Sequence, residues 1–167
     1  MIFLKKLSIT ISMLFSLVVF SQTETLVEKS VTLNQKGAFE LFQQVNIEAK
    51  KIDKNVSVAI LNAQGVALLL VKGDNVGPHN TEASRRKAFT SVSTKTPSFE
   101  LMQNAAKSTD AKNLNTLPEL LLLGGGAPVF YNGELIGSVG VSGGGGSEND
   151  HLIAVKAIEN AGFKSAR

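Results

Sequence analysis

A chain of 167 residues, 43% apolar and 19% charged, can bury one substantial core, and its length suits a single domain. That apolar fraction excludes a disordered tail protein, and the lack of any cysteine excludes a disulfide framework, a thiolate metal site and a cysteine nucleophile. The formal net charge of +3 hints at an anionic partner, a hint that depends on where the charges lie.

Residues 1–21 read MIFLKKLSITISMLFSLVVFS: Lys5 and Lys6 precede an apolar run from Leu7 to Phe20, and small Ser21 closes it. This is the layout of a secretory signal peptide, with cleavage expected before Gln22. The 14-residue run is shorter than the roughly 20 residues that span a bilayer, so no stable membrane span is expected after cleavage. The mature chain is then exported, to the periplasm or beyond the cell. Residues 22–31 read as a flexible segment and 32–167 as the folded domain. Cleavage removes two lysines and no acids, leaving 15 basic against 14 acidic side chains. A mature net charge of +1 offers little counterion release, so no nucleic-acid partner is expected. The basic cluster that remains, Arg85-Arg86-Lys87, points three ways about 100° apart on a helix, which reads as a solvated face with one stem packed inward.

Between Thr32 and Ile52 the apolar residues Leu33, Ala38, Phe39, Phe42, Val45, Ile47 and Ala49 recur mostly at three- and four-residue steps, predicting an amphipathic helix capped by Thr32. VSVAILN (56–62) and GVALLLVKG (65–73) predict a tight hairpin, and the continuously apolar second run predicts a strand covered on both faces. The turn-rich GDNVGPHNT (73–81) leads into a helix over EASRRKAFTSVS, capped by Asn80 or Thr81. Thr96-Pro97 ends it, and Ser98 caps a shorter helix, SFELMQNAAK. Residues 107–118 form a long polar connection.

Ten of the fifteen glycines lie between Gly124 and Gly146, interrupted by apolar stretches. Leu120 to Leu123 predicts a buried strand, and Asn132-Gly133 predicts a hairpin between Pro128–Tyr131 and Glu134–Val141. Ser147 begins a last helix running to about Ala161. Gly137 and Gly140, inside a strand, leave room for another backbone, a bulge or a ligand. The sum is an α+β domain with an antiparallel sheet of about five strands, packed with N-terminal, central and C-terminal helices.

Chemistry must come from few residues. Gly124-Gly125-Gly126 and Gly143 to Gly146 can present bare N–H groups to an anion, yet neither run has the lysine of a P-loop or the βαβ setting of a dinucleotide fingerprint. Ser142, between Val141 and Gly143, lacks a base with a visible role, so it is no nucleophile elbow. The two histidines are His79 and His151. His151, beside Asn149 and Asp150 in the first turn of the last helix, reads as a surface or capping residue. His79 sits in a Gly-Pro loop just before a helix, where an imidazole can face a pocket. One imidazole among Leu, Val, Phe and Gly suits a flat apolar macrocycle with an axially open metal, and Arg85, Arg86 and Lys87 can supply cations for its carboxylates.

The strings VSVAILNAQGVALLLVKGDN, TEASRRKAFT, LLLLGGGAPVFYNGELIGSVGVSGG and SENDH resemble the GlcG/HbpS (DUF336) haem-binding family, over about residues 32–161. The most specific matches are Lys87-Ala88, Gly124-Gly125-Gly126 with Pro128, and Gly137-x-x-Gly140-Val141-Ser142-Gly143 leading to Glu148 and Asp150. The resemblance implies a profilin-like α+β unit that assembles into homo-oligomers, often octamers. It implies kinship with the C-terminal domain of PduO-type corrinoid adenosyltransferases, which binds haem. Combined with the residues above, it gives an expected exported binding protein for haem or a related tetrapyrrole, serving capture, storage or sensing. The ligand would lie between the helix after His79 and the glycine-rich strands, against His79, Asn80, Arg85, Arg86, Lys87, Gly124, Gly125, Gly126, Ser142 and Gly143, with His79 as axial ligand of the iron. The alternatives are an enzyme or accessory protein acting on a small hydroxyacid or oxoacid anion, with His79 as acid/base, and a purely oligomeric scaffold.

Overall fold

A computed structural model describes Leu26 and residues 30–167; the expected signal peptide lies outside them. Val31–Arg167 make one compact unit. Its elements are α1 (Gln35–Lys50), β1 (Ser57–Asn62), β2 (Ala67–Val71), α2 (His79–Thr94), α3 (Ser98–Lys107), a single turn α4 (Thr109–Lys112) continued as a 3-10 turn over Asn113–Thr116, β3 (Gly126–Tyr131), β4 (Glu134–Ser142) and α5 (Ser147–Asn160). The four strands form one antiparallel sheet in the order β2-β1-β4-β3.

Alternation along β1 divides the interior. Val58 and Ile60 face a core with Leu41 and Val45 of α1, Val139 and Val141 of β4, and Ala157 and Ile158 of α5. Ala59 and Leu61 face the other way, onto Ala88 and Val92 of α2. The sheet is therefore sandwiched, with α1 and α5 on one face and α2 on the other.

What lets α2 sit so close is a row of small residues in register across three strands: Ala59, Gly140 and Gly126. A Cβ on Gly140 would strike the carbonyl oxygen of Ser84, and one on Gly126 that of Lys87. Of the options open for Gly140 in the sequence, the occupant is the backbone of α2.

The local expectations fare unevenly. Helix one is capped by Asn34, whose side chain accepts the Gly37 N–H at 2.9 Å, rather than by Thr32. Thr32 instead accepts the Ala63 N–H of the β1–β2 turn, so its hydroxyl belongs to the sheet end. Asn132 and Gly133 turn the β3–β4 hairpin with φ of 50° and 81°, as a type I′ turn requires. Helix α2 starts earlier than expected, at His79, and neither Asn80 nor Thr81 caps it; Asn80 is committed to Gly77 and Ser142.

Three expectations are overturned. Strand β2 is not covered on both faces: it is an edge strand paired with β1, and Leu70 is 44% exposed because α2 crosses β1, β4 and β3 instead. The connection after residue 107 carries its own helical turns, opened by Ser108, whose hydroxyl accepts the Ala111 N–H. The expected strand at Leu120 to Leu123 does not form, and the sheet among the described residues has four strands. Leu120 and Leu122 are buried as expected, but their segment satisfies its backbone with helix side chains. Arg86 Nη2 donates to the Leu120 carbonyl (2.6 Å), the Leu121 N–H donates to Thr90 Oγ1 (2.8 Å), and Ser98 Oγ donates to the Leu123 carbonyl (2.6 Å). A strand partner becomes unnecessary once those groups are paired.

Candidate functional site

The middle of α2, the end of β4 and the start of α5 converge on a buried ion pair. Lys87 Nζ lies 2.7 Å from Asp150 Oδ2, with both side chains about 95% buried. The ammonium also donates to the Val141 carbonyl at 3.1 Å and to Ser142 Oγ at 3.4 Å, so its three protons are all placed. The second Asp150 oxygen accepts the Gly144 N–H at 2.7 Å. Asp150 stands in the first turn of α5, where the helix dipole favours a carboxylate.

The network continues outward. Ser142 Oγ donates to Asn80 Oδ1 (2.8 Å), Asn80 Nδ2 donates to the Gly77 carbonyl (3.1 Å), and Asn149 Nδ2 donates to the Gly144 carbonyl (3.0 Å). One connected set of bonds thereby fixes the loop before α2 and the turn before α5. Asn80 and Gly143 share the wall of a cleft of about 290 Å³ with Asp53, Asn55, Asp74 and Gly77, and Lys54 also lines it. His79 is exposed next to this cleft, its ring lying over Gly77 where any side chain would meet it.

The structure thus brings Asn80, Ser142, Gly143 and Lys87 together and sets His79 beside them. It distributes the other expected site residues differently. Arg85 makes a two-point contact with Glu82 (2.9 and 2.7 Å) and reaches Glu119 at 2.8 Å. The hydrogen bonds to Glu82 raise the Arg85 pKa above its ordinary value, with Glu119 adding to them, and the same bond lowers that of Glu82. Arg86 is turned to the 120–123 segment, and Lys87 is the one stem of the basic cluster packed inward. The three glycines are packing contacts: Gly124 lies against Phe99 and Ser147, Gly125 against the Val141 carbonyl, and the Gly126 N–H donates to Ser98 Oγ.

His151 caps no helix and is only partly exposed. Its ring stacks on Phe99 with centroids 4.9 Å apart and planes 13° from parallel, and its Nδ1 is buried without a partner. Burial lowers its pKa below the ordinary value of 6.5, with Glu148 opposing. The unfolded chain therefore takes up a proton that the folded ring resists. This contribution to stability is complete above about pH 6.5 and is lost as pH falls through the lower folded pKa. Replacing His151 with Gln should flatten the fall in urea midpoint as pH drops below about 6.5; an unchanged pH profile would remove His151 as its source.

Asp150 and Phe99 are participants outside the expected ligand-contacting set, although the family resemblance rests in part on Asp150 and on Lys87-Ala88. Asp150 is 63 residues from Lys87, and no local spacing links them. Among the described residues no group of three or more His, Asp or Glu is placed to hold a metal ion, and no helix is long and apolar enough to cross a membrane.

Comparison with known proteins finds relatives in sequence and in fold. The chain is 33% identical over 114 residues to protein GlcG of Escherichia coli K12, an alignment covering 67% of this chain and 82% of GlcG. The crystal structure of a double mutant of Streptomyces reticuli HbpS superposes with a TM-score of 0.74 at 30% identity, covering 80% of this chain and 90% of that one. A PduOC:haem complex superposes with a TM-score of 0.72 at 26% identity, covering 82% and 100%. The sequence profile of the family described as haem degrading protein HbpS-like matches residues 33–159. This chain belongs to the HbpS-like family.

Proposed function

We propose that this protein is an exported binding protein for haem or a related tetrapyrrole, serving its capture, storage or sensing. The observation that carries the reading is the likeness to the PduOC:haem complex, all of whose chain this one spans, within a family described by haem degradation. Bound haem would supply a flat apolar ring with a redox-active iron.

The residues present fit such a group at the imidazole. The His79 side chain is exposed and makes no hydrogen bond to another described residue, so a ring nitrogen is open to a metal ion. Gly77 leaves the space that the ring occupies, and the Asn80–Ser142 bond steadies the wall behind it. The cations fit less well: Arg85, Arg86 and Lys87 are already bonded within the protein, whereas Lys54 lines the neighbouring cleft. Homo-oligomerisation is part of the proposal, with exposed Leu117, Leu123 and Leu152 supplying apolar surface.

Titration of residues 22–167 with haemin tests the reading. A saturable Soret shift is expected, and His79→Ala should change the position of the bound Soret band. Absence of a saturable shift in the unmodified protein would sink haem binding. A bound spectrum unchanged in His79→Ala but altered in His151→Ala would transfer the iron to the second imidazole.

A further inference from the structure

A second cleft, of about 490 Å³, lies between α3 and the α4 turn and shares no residue with the cleft at Gly77. Its size falls in the range of small-molecule sites, roughly 300–1,000 Å³. Met102, Ala105, Ala106 and Leu122 give it an apolar side, and Lys107 and Lys112 give it two cations.

Two features set this cleft apart from an ordinary surface dent. The first is α3 itself, an amphipathic helix of which only Ser98 is fully buried. Its apolar residues Phe99, Leu101, Met102 and Ala105 stay partly exposed, although a stripe of this kind on a helix normally faces a core. The second is charge. No carboxylate lines the cleft, and neither Lys107 nor Lys112 has an ion-pair partner among the described residues, so both ammonium groups are open to an anion. Thr109 and Asn115 add polar side chains beside the lysines.

An uncovered apolar wall ending in two unpaired ammonium groups is complementary to a molecule with an apolar body and one or two carboxylates. We infer that the α3–α4 cleft binds an apolar carboxylate, its body against Met102, Ala105 and Leu122 and its carboxylate at Lys107 and Lys112. The chemistry is shared by the propionate edge of a tetrapyrrole and by a free alkyl or aryl acid. In the first case the inference rests on the haem reading above; in the second it stands without it.

The test compares acids with their esters. The protein and its Lys107→Glu/Lys112→Glu variant are titrated with haemin and haemin dimethyl ester, and with a fluorescent polyene fatty acid and its methyl ester. Both lysines are exposed, so the variant should keep the unmodified circular dichroism and melting temperature. The unmodified protein should prefer at least one acid over its ester by about tenfold, and the variant should lose that preference. Preference for haemin identifies the tetrapyrrole as the source; preference for the fatty acid alone identifies a free acid. No acid preference with either pair, or a preference that survives in the variant, overturns the cleft assignment. Failure of the haem reading is distinct: the unmodified protein then binds neither haemin nor its ester, and the fatty-acid pair still decides the cleft.

Discussion

Lys87→Met should destabilise the domain by about 3–5 kcal/mol, the usual cost of removing one partner from a buried ion pair. Met keeps the length of the stem and removes the charge. The Asp150 carboxylate is left about 95% buried with the Gly144 N–H as its remaining side-chain hydrogen bond, and the Val141 carbonyl loses its ammonium donor. Asp150→Asn should cost less, because the amide keeps an acceptor for Gly144 and leaves the ammonium its two other partners. Replacing both members, Lys87→Met with Asp150→Leu, should recover part of the loss, since an apolar pair has no charge to desolvate. Urea midpoints at pH 7 measure all three. A double variant no better than Lys87→Met would show that the pair's role is to hold the Gly143–Gly146 turn rather than to neutralise a buried charge.

The same ion pair shows where legibility in the sequence stops. Helix α1, both hairpins and the start of α5 at Ser147 could be read because each is written in a short window: an apolar period, an Asn-Gly turn, or a break at glycine. The 120–123 segment could not. Its leucines announce burial, but whether a buried extended segment becomes a strand depends on who accepts and donates its backbone hydrogen bonds. Here those partners are Arg86, Thr90 and Ser98, about 25 to 35 residues away on helices. Strand β2 failed for a related reason, since an apolar run does not say whether a helix will cross it. At the site, Asn80, Ser142, Gly143 and Lys87 were legible as a group and do meet, but the acid that organises them was not named for it. Asp150 reads locally as one more carboxylate in a helix's first turn. Only the packing of α2 on the sheet brings Lys87 to it.

Because that packing depends on missing side chains, Gly140→Ala should be among the most damaging single substitutions, costing at least about 3 kcal/mol, at or beyond the upper end of ordinary overpacking. The new methyl group would strike the Ser84 carbonyl oxygen and lie 2.8 Å from the Ala88 nitrogen. Both obstacles are helix backbone, so no rotamer change relieves them, and α2 must lift off β4. Lifting it draws Lys87 away from Asp150 and Asn80 away from Ser142, so one methyl group disturbs both the packing and the polar network. Gly140 has no left-handed backbone, which makes the effect one of space alone. Gly133→Ala supplies the contrast: a Cβ there meets nothing, but φ is 81°, so only backbone strain of roughly 1–2 kcal/mol is expected. Urea denaturation followed by circular dichroism separates the two. If Gly140→Ala loses no more than Gly133→Ala, helix α2 is not seated against β4 as closely as the structure has it, and the buried pair must be held by other means.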